Sequence, residues 1–261
     1  MRSERSLHPQ HLARRAAARG GRPLLLIASL FLLTAIHGQQ GVTTFGIQLK
    51  PVIPLSFFDP LTTTGTKPLS GTTELKGGLA FGMVVRTGLS RTLSLETGIN
   101  QITRRYDYRI VNDTAGYDNG SSVRFVGYEI PLLMLVYIRL GENTWMNNAL
   151  GVSLDMYPSD VVSTLEQGRF YMYRKSWIQG GAVANIGVEY RSYKSGYFYL
   201  GATYHRPFTE MAITEFTWST PTMLPYSVRS ALNGSYLTLD LRYFFHESPD
   251  KVRLRKDRGV N

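Results

Sequence analysis

The 261-residue sequence contains no cysteine. That absence excludes a disulfide scaffold, a thiolate metal site, a cysteine nucleophile and a lipoprotein held by a lipid-bearing cysteine. Long apolar runs are also missing. The longest, Leu24 to Ile36, is 13 residues interrupted by Ser29 and Thr34. A helix needs ~20 residues to cross a bilayer core of ~30 Å, so no helical span is expected. Histidine is scarce, with only His205 and His246 beyond the N-terminal segment. The glycines form neither G-x-G-x-x-G between a strand and a helix nor a P-loop. No His, Asp or Glu cluster has metal-ligand spacing, so neither a metal nor a cofactor is expected. What remains is 43% hydrophobic and 18% charged, enough apolar content for an ordered fold.

The formal charge of +10 is unevenly placed. Residues 1–38 hold six arginines against Glu4, half of the whole excess. A basic stretch, the apolar segment Pro23 to Leu33, and the small or polar segment Thr34 to Gln40 have the three parts of a secretory signal peptide. Residues 1–38 are therefore expected to be a cleaved leader, with the cut after Gly38. A membrane-anchoring helix is the competing reading, and the run is short for it. In the remainder, Lys and Arg are scattered and no nucleic-acid-binding motif appears. Nucleic acid is not an expected partner.

Beyond the leader there is almost no helical periodicity. The recurring pattern is strict alternation, the period-2 signal of strands with two different faces. From Gly77, one face reads Leu79, Phe81, Met83 and Val85, the other Ala80, Gly82, Val84 and Arg86. From Leu93, Leu95, Thr97 and Ile99 oppose Ser94, Glu96 and Asn100. The same holds around Leu150–Met156, Ile178–Tyr190, Tyr197–His205 and Leu237–Phe245, with one more strand within Thr43–Leu49. Val123–Leu140 is apolar on both faces and contains Pro131. Proline cannot donate to a ladder, so a bulge is expected there.

The polar faces are small and sparsely charged, as if facing a crowded interior. Apolar-out and polar-in alternation describes a transmembrane β-barrel, and closure follows because hydrocarbon offers a free sheet edge no partner. Connections alternate long and short. Pro51–Lys76, Asp107–Ser122, Pro158–Tyr173 and Pro207–Gly234 are long. Ser90-Arg91, Gly141–Thr144 and Arg191–Gly196 are short. Four long and three short connections fit an all-β, eight-stranded antiparallel up-and-down barrel with strands of ~10 residues, spanning residues 39–246. The long segments carry turn formers, Thr62–Pro68 and Asn112–Gly120. Two aromatic girdles are expected. Tyr106, Tyr108, Tyr171, Tyr173 and Trp177 lie near the long-loop side. Trp145, Tyr190, Tyr193, Tyr197, Tyr243, Phe244 and Phe245 lie near the short-turn side.

The segment Tyr128-Glu129-Ile130-Pro131-Leu132-Leu133-Met134 resembles a strand of the PorT-like outer-membrane β-barrel proteins of the Bacteroidetes group. Leu79–Gly82 with Leu89–Ile99 is similar to that family's second and third strands, and Ser235–Phe245 to its last. The resemblance covers roughly residues 41–246 and implies an eight-stranded barrel in the bacterial outer membrane. Such barrels often end on an aromatic that the assembly machinery reads. Here residues 247–261 continue as a basic tail, expected in the periplasm.

Catalysis has little to work with. Some eight-stranded barrels are lipid A deacylases or acyltransferases that use Ser and His near the outer rim. His205 is followed by Arg206-Pro207, so the deacylase His-x-Ser arrangement is missing, and His246 falls at the periplasmic end. A base must reach its nucleophile, and only His205 is placed to do so. The expected protein is a non-enzymatic, monomeric outer-membrane barrel with a structural role or recognition through its loops. Its partners would be outer-membrane lipid, the barrel assembly machinery and an unidentified extracellular or periplasmic protein. A small channel is one alternative, and a soluble secreted barrel binding a lipid-like ligand is another. Arg86, Glu96, Glu129, Asp155, Glu189, Asp240 and Arg242 are the candidate interior charges. They would either line a pore or pair with one another and plug a narrow lumen, because buried charges are costly alone. The expected pairing is Glu96 or Glu189 with Arg86 or Arg242.

Overall fold

The computed structural model describes residues 43–54, 61–90, 92–192 and 195–245. The expected leader, its cleavage site, Tyr193, His246 and the basic tail lie outside the described residues. Among the described residues thirteen strands run in order: β1 (Thr43–Ile53), β2 (Leu61–Thr66), β3 (Leu69–Gly88), β4 (Leu93–Asn112), β5 (Tyr117–Arg139), β6 (Thr144–Met156), β7 (Val161–Leu165), β8 (Gly168–Arg174), β9 (Ile178–Ser192), β10 (Gly196–Pro207), β11 (Ala212–Thr220), β12 (Met223–Leu232) and β13 (Tyr236–Phe244). Among the described residues no helix is long and apolar enough to cross a membrane.

Eight of these strands form a closed antiparallel ring. Its order is β1-β13-β10-β9-β6-β5-β4-β3, and β1 pairs back onto β3. Partners followed once around from Thr43 are Thr87, Leu95, Met134, Leu150, Ala184, Tyr204 and Leu237, and the path returns at Ile53. The return is ten residues displaced from the start. That stagger in an eight-stranded ring goes with a strand tilt of ~35–45°.

The alternation assigns the faces as the sequence pattern predicts, and on β5, where the sequence is apolar on both faces, the structure makes the assignment. Phe45, Ile47, Leu49, Phe81, Met83, Ile99, Leu132, Met134, Leu150, Val152, Ile186, Phe198, Leu200 and Leu241 all point outward and are exposed. On β5 the outward apolar row runs from Val126 to Ile138, bounded above by Arg124. Thirteen residues at ~3.3 Å each, tilted ~40°, give an apolar height of ~30 Å, the thickness of a bilayer core. Soluble monomers rarely expose an apolar surface this continuous. The soluble ligand-binding alternative needed these faces inward, and the structure turns them outward.

The long connections depart from expectation. Their described residues form mostly ordered β-structure rather than irregular loops. β3, β4 and β5 are 20, 20 and 23 residues long, about twice the expected strand. Thr62–Thr66, expected as turn, lies in β2 on the extension of β3. The β4–β5 turn shrinks to Asp113–Gly116, with the Asn112 carboxamide oxygen accepting from the amides of Thr114 and Ala115. The other two long connections each fold into a hairpin, β7–β8 and β11–β12, and the hairpins join through β8 and β11 into a four-stranded sheet. This sheet spans the opening, with β12 against β2 and β7 against β5. Thr64 Oγ1 donates to the Arg229 carbonyl at 3.0 Å on one side, and Tyr108 OH to Ser163 Oγ at 2.6 Å on the other. The barrel thus has a lower storey of eight strands and an upper storey enclosed by the extensions and the sheet.

Two further expectations are corrected. Pro131 makes no bulge. Its register with β6 is unbroken, opposite Ser153. With β4 only the pairing of Ile130 and Pro131 lapses, and the register is the same on both sides. The missing N–H is absorbed as a two-residue gap in one ladder. Register shifts do occur, in β3 between Leu75 and Gly77 and in β11 between Trp218 and Thr220. The aromatic girdle is also thinner than expected. Tyr106, Tyr108 and Phe244 are buried inside, and Tyr197 and Trp145 pack against interior residues. Tyr171 and Tyr173 sit on β8 in the upper sheet. Trp177, Tyr190, Tyr243 and Phe245 do lie on the outer surface. Aromatic residues are common on both faces of strands, so position along the chain alone did not separate girdle from core.

Candidate functional site

The interior of the barrel is layered. Alternation on β3, β4, β9 and β13 brings Arg86, Glu96, Glu189, Asp240 and Arg242 to one level of the lower storey. Arg86 Nη2 lies 2.8 Å from Glu96 Oε2, and Arg86 Nη1 also bonds Glu189. Arg242 Nη1 reaches Glu96 Oε1 at 2.5 Å and its Nη2 reaches Asp240 Oδ2 at 2.6 Å. Arg191 Nε donates to Glu189 Oε1 at 2.7 Å. Asp240 also accepts from Thr203 and Thr238 at 2.5 and 2.6 Å. Three guanidinium groups thus face three carboxylates. Aromatic faces cover the cations, with Phe244 4.0 Å from the Arg86 guanidinium carbon and Tyr199 4.7 Å from that of Arg242.

Glu129 and Asp155 belong to a second cluster, with His205 and with Lys50, Ser153 and Tyr236, which sequence reasoning did not single out. Glu129 accepts from Tyr236 OH at 2.6 Å and Asn100 Nδ2 at 3.1 Å, and Lys50 Nζ stands 3.9 Å away. His205 Nε2 lies 3.0 Å from Asp155 Oδ2 and 2.9 Å from Ser153 Oγ. Lys50 was legible in principle: it continues the inward even positions Thr44, Gly46 and Gln48 of β1. Arg104 likewise extends the inward row of β4 past Asn100. It is fully buried, and its Nη1 donates to the Gly234 carbonyl at 2.9 Å.

The Ser153, His205 and Asp155 side chains raise the question of catalysis. In a Ser-His-Asp relay the serine and the carboxylate engage opposite ring nitrogens. Here both contact Nε2, and Nδ1 has no hydrogen-bond partner. The geometry is a buried hydrogen-bond cluster rather than a relay. Glu129, Asp155 and His205 also bring potential metal-ligand atoms within 4.8 Å of one another. The sequence spacing hid this, because the three sit on β5, β6 and β10. Lys50 already supplies positive charge beside Glu129.

Above these clusters the upper storey is apolar. Tyr108 stacks on Phe170 with ring centroids 4.2 Å apart, and Phe170 meets Phe216 at 5.2 Å. Leu69, Ile110, Phe125 and Met172 complete a fully buried core. Gly71 is required there, since a Cβ would stand 2.2 Å from the Phe216 ring. The lumen is therefore filled twice, by paired charges below and by aromatic packing above.

No known family matches the sequence, and no curated protein matches it. Solved structures resemble it in shape. OprG, an outer membrane protein of Pseudomonas aeruginosa, is 12% identical with a TM-score of 0.48, covering 80% of this chain and 99% of that one. The outer membrane protein AlkL, solved in DMPC bilayers, is 12% identical with a TM-score of 0.42, covering 81% and 92%. The outer membrane protease OmpT of Escherichia coli is 12% identical with a TM-score of 0.41, covering 80% and 99%.

Proposed function

We propose that this chain is an integral β-barrel of a bacterial outer membrane, without enzymatic activity. Its ordered upper storey faces outside as a structural or recognition surface. The observation that carries this reading is the closed ring with an apolar outer wall ~30 Å high, around an interior of paired charges. Short turns fall on one side and the long extensions on the other, which orients the upper storey outward. The PorT-like resemblance through Tyr128–Met134 is part of this proposal, as are a monomeric state, surrounding lipid and delivery by the barrel assembly machinery.

The small-channel alternative is disfavoured by the double filling of the lumen. Membrane fractionation with a heat-modifiability gel tests the main reading. The folded protein is expected in the membrane fraction and to shift mobility on boiling. Recovery in buffer without detergent would overturn it. Planar-bilayer recording tests the channel. No stable single-channel steps are expected, and reproducible steps would establish conduction instead.

A further inference from the structure

The apolar wall ends, on the side of the upper storey, at three cations that the fold brings together from three adjacent strands. Arg105 on β4 is the direct partner of Arg124 on β5 and of Gly77 on β3. Lys76 precedes Gly77 at the β3 bulge. All three side chains point outward and are exposed. Directly opposed like charges on one sheet face are destabilising. Nearby acids compensate only in part. Lys76 Nζ is 2.7 Å from Glu74, while Arg105 Nε is 3.9 Å from Asp107. Among the described residues Arg124 has no ion pair or hydrogen bond.

The three cations surround a dent of about 270 Å³ in the barrel wall. Its floor is Gly77 and Gly78. Gly77 has φ +134°, and a Cβ on Gly78 would lie 2.3 Å from the Thr103 carbonyl oxygen. The floor therefore stays bare backbone. The lower edge is Leu79 and Thr103, where the apolar wall begins and continues through Phe81 and Met83.

We propose that Lys76, Arg105 and Arg124 bind the phosphorylated headgroup of an outer-leaflet lipid, whose acyl chains lie along the wall below. A phosphate offers three acceptor oxygens to two guanidinium groups and an ammonium, and charge-assisted bonds of this kind are the strong ones. A cation beside a membrane adds ~1 kcal/mol toward an anionic headgroup, about fivefold in affinity. This site rests on the outer-membrane reading above.

The test is native mass spectrometry of the refolded barrel in detergent. It is offered lipid A, the same lipid with its phosphates removed, phosphatidylcholine, or inorganic phosphate as competitor. Retention of phosphorylated lipid A over the other two is expected. Arg105→Gln with Arg124→Gln should lower that retention roughly 25-fold. Arg109→Gln, outside the dent, should leave it unchanged. All variants must show the heat-modifiable shift, which separates failure of the barrel from failure of the site. Equal retention of the dephosphorylated lipid, or unchanged retention in the double variant, would overturn the proposal. Displacement by millimolar inorganic phosphate would reassign the site to a free anion and also overturn it.

Discussion

Arg86 and Glu96 are direct cross-strand partners on β3 and β4, and their side chains meet at 2.8 Å inside the barrel. Both are almost fully buried. Register and charge therefore agree at this position: the pairing that closes the hairpin also neutralises the pair. Removing Glu96 leaves both Arg86 and Arg242 short of a counter-charge. Glu96→Gln is expected to destabilise the barrel by about 3–5 kcal/mol. The double change Glu96→Leu with Arg86→Met should cost less than the sum of the singles. Urea unfolding in detergent, followed by the heat-modifiable band, measures both. Unchanged unfolding in Glu96→Gln would remove the plug interpretation.

The outer wall gives a test that separates lipid from water. Leu150 is 68% exposed at mid-wall, and Leu224 is 90% exposed on the upper storey. Leu150→Arg should cost about 2–4 kcal/mol in a bilayer. Leu224→Arg should cost almost nothing. In a soluble protein both would be near neutral, so equal small effects in liposome unfolding would argue against a membrane-facing wall.

The upper storey depends on tight aromatic packing. Phe216→Ala is expected to lose about 3–5 kcal/mol of local stability. Gly71→Ala should disturb the same core from the other side, by forcing the Phe216 ring to move. Limited trypsin digestion should then cut at Arg169 and Arg174 while the lower barrel still resists and still shifts on heating. Loss of the whole barrel would mean that the two storeys do not unfold separately.

Arg109 on β4 hydrogen-bonds Asp118 on β5 across the exposed extension, with Nε 2.6 Å from Oδ1. That bond holds the Asp118 carboxyl below the usual carboxylate range. A depressed carboxyl stabilises the folded state above its unfolded pKa, and the contribution fades as pH falls through the folded value. Carbon-detected NMR titration should find Asp118 titrating below an ordinary aspartate. Arg109→Gln should return it to the ordinary range. Identical titration in both proteins would show that the bond does not persist in solution.

The Glu129, Asp155 and His205 cluster is expected to keep its place without a metal, because Lys50 and Tyr236 already serve Glu129. Refolding in the presence of EDTA or of zinc should give the same melting temperature. A rise of several degrees with zinc would assign a metal to the cluster instead.

Alternation settled which residues face outward and which inward on the lower strands other than β5, because side-chain direction along a strand is a local property of the backbone; on β5 both faces are apolar in sequence, and only the fold separated them. Alternation therefore revealed the eight-stranded barrel and placed Arg86, Glu96, Glu189, Asp240 and Arg242 inside. Exact partners were not legible. Glu96 meets Arg242 across 146 positions of sequence, and only the closed ring with its ten-residue stagger sets that contact. His205 looked isolated because Ser153, Asp155 and Glu129 lie on other strands. The long segments looked like loops because their threonines, glycines and asparagines are turn formers locally. Pairing with the extended β3–β5 wall and burial around Phe170 and Phe216 outweighed those preferences. The sequence by itself determined a barrel with an apolar wall and a charged interior. Tertiary structure decided that its outer half is a second ordered storey, since strand pairing and core packing join residues far apart in the chain.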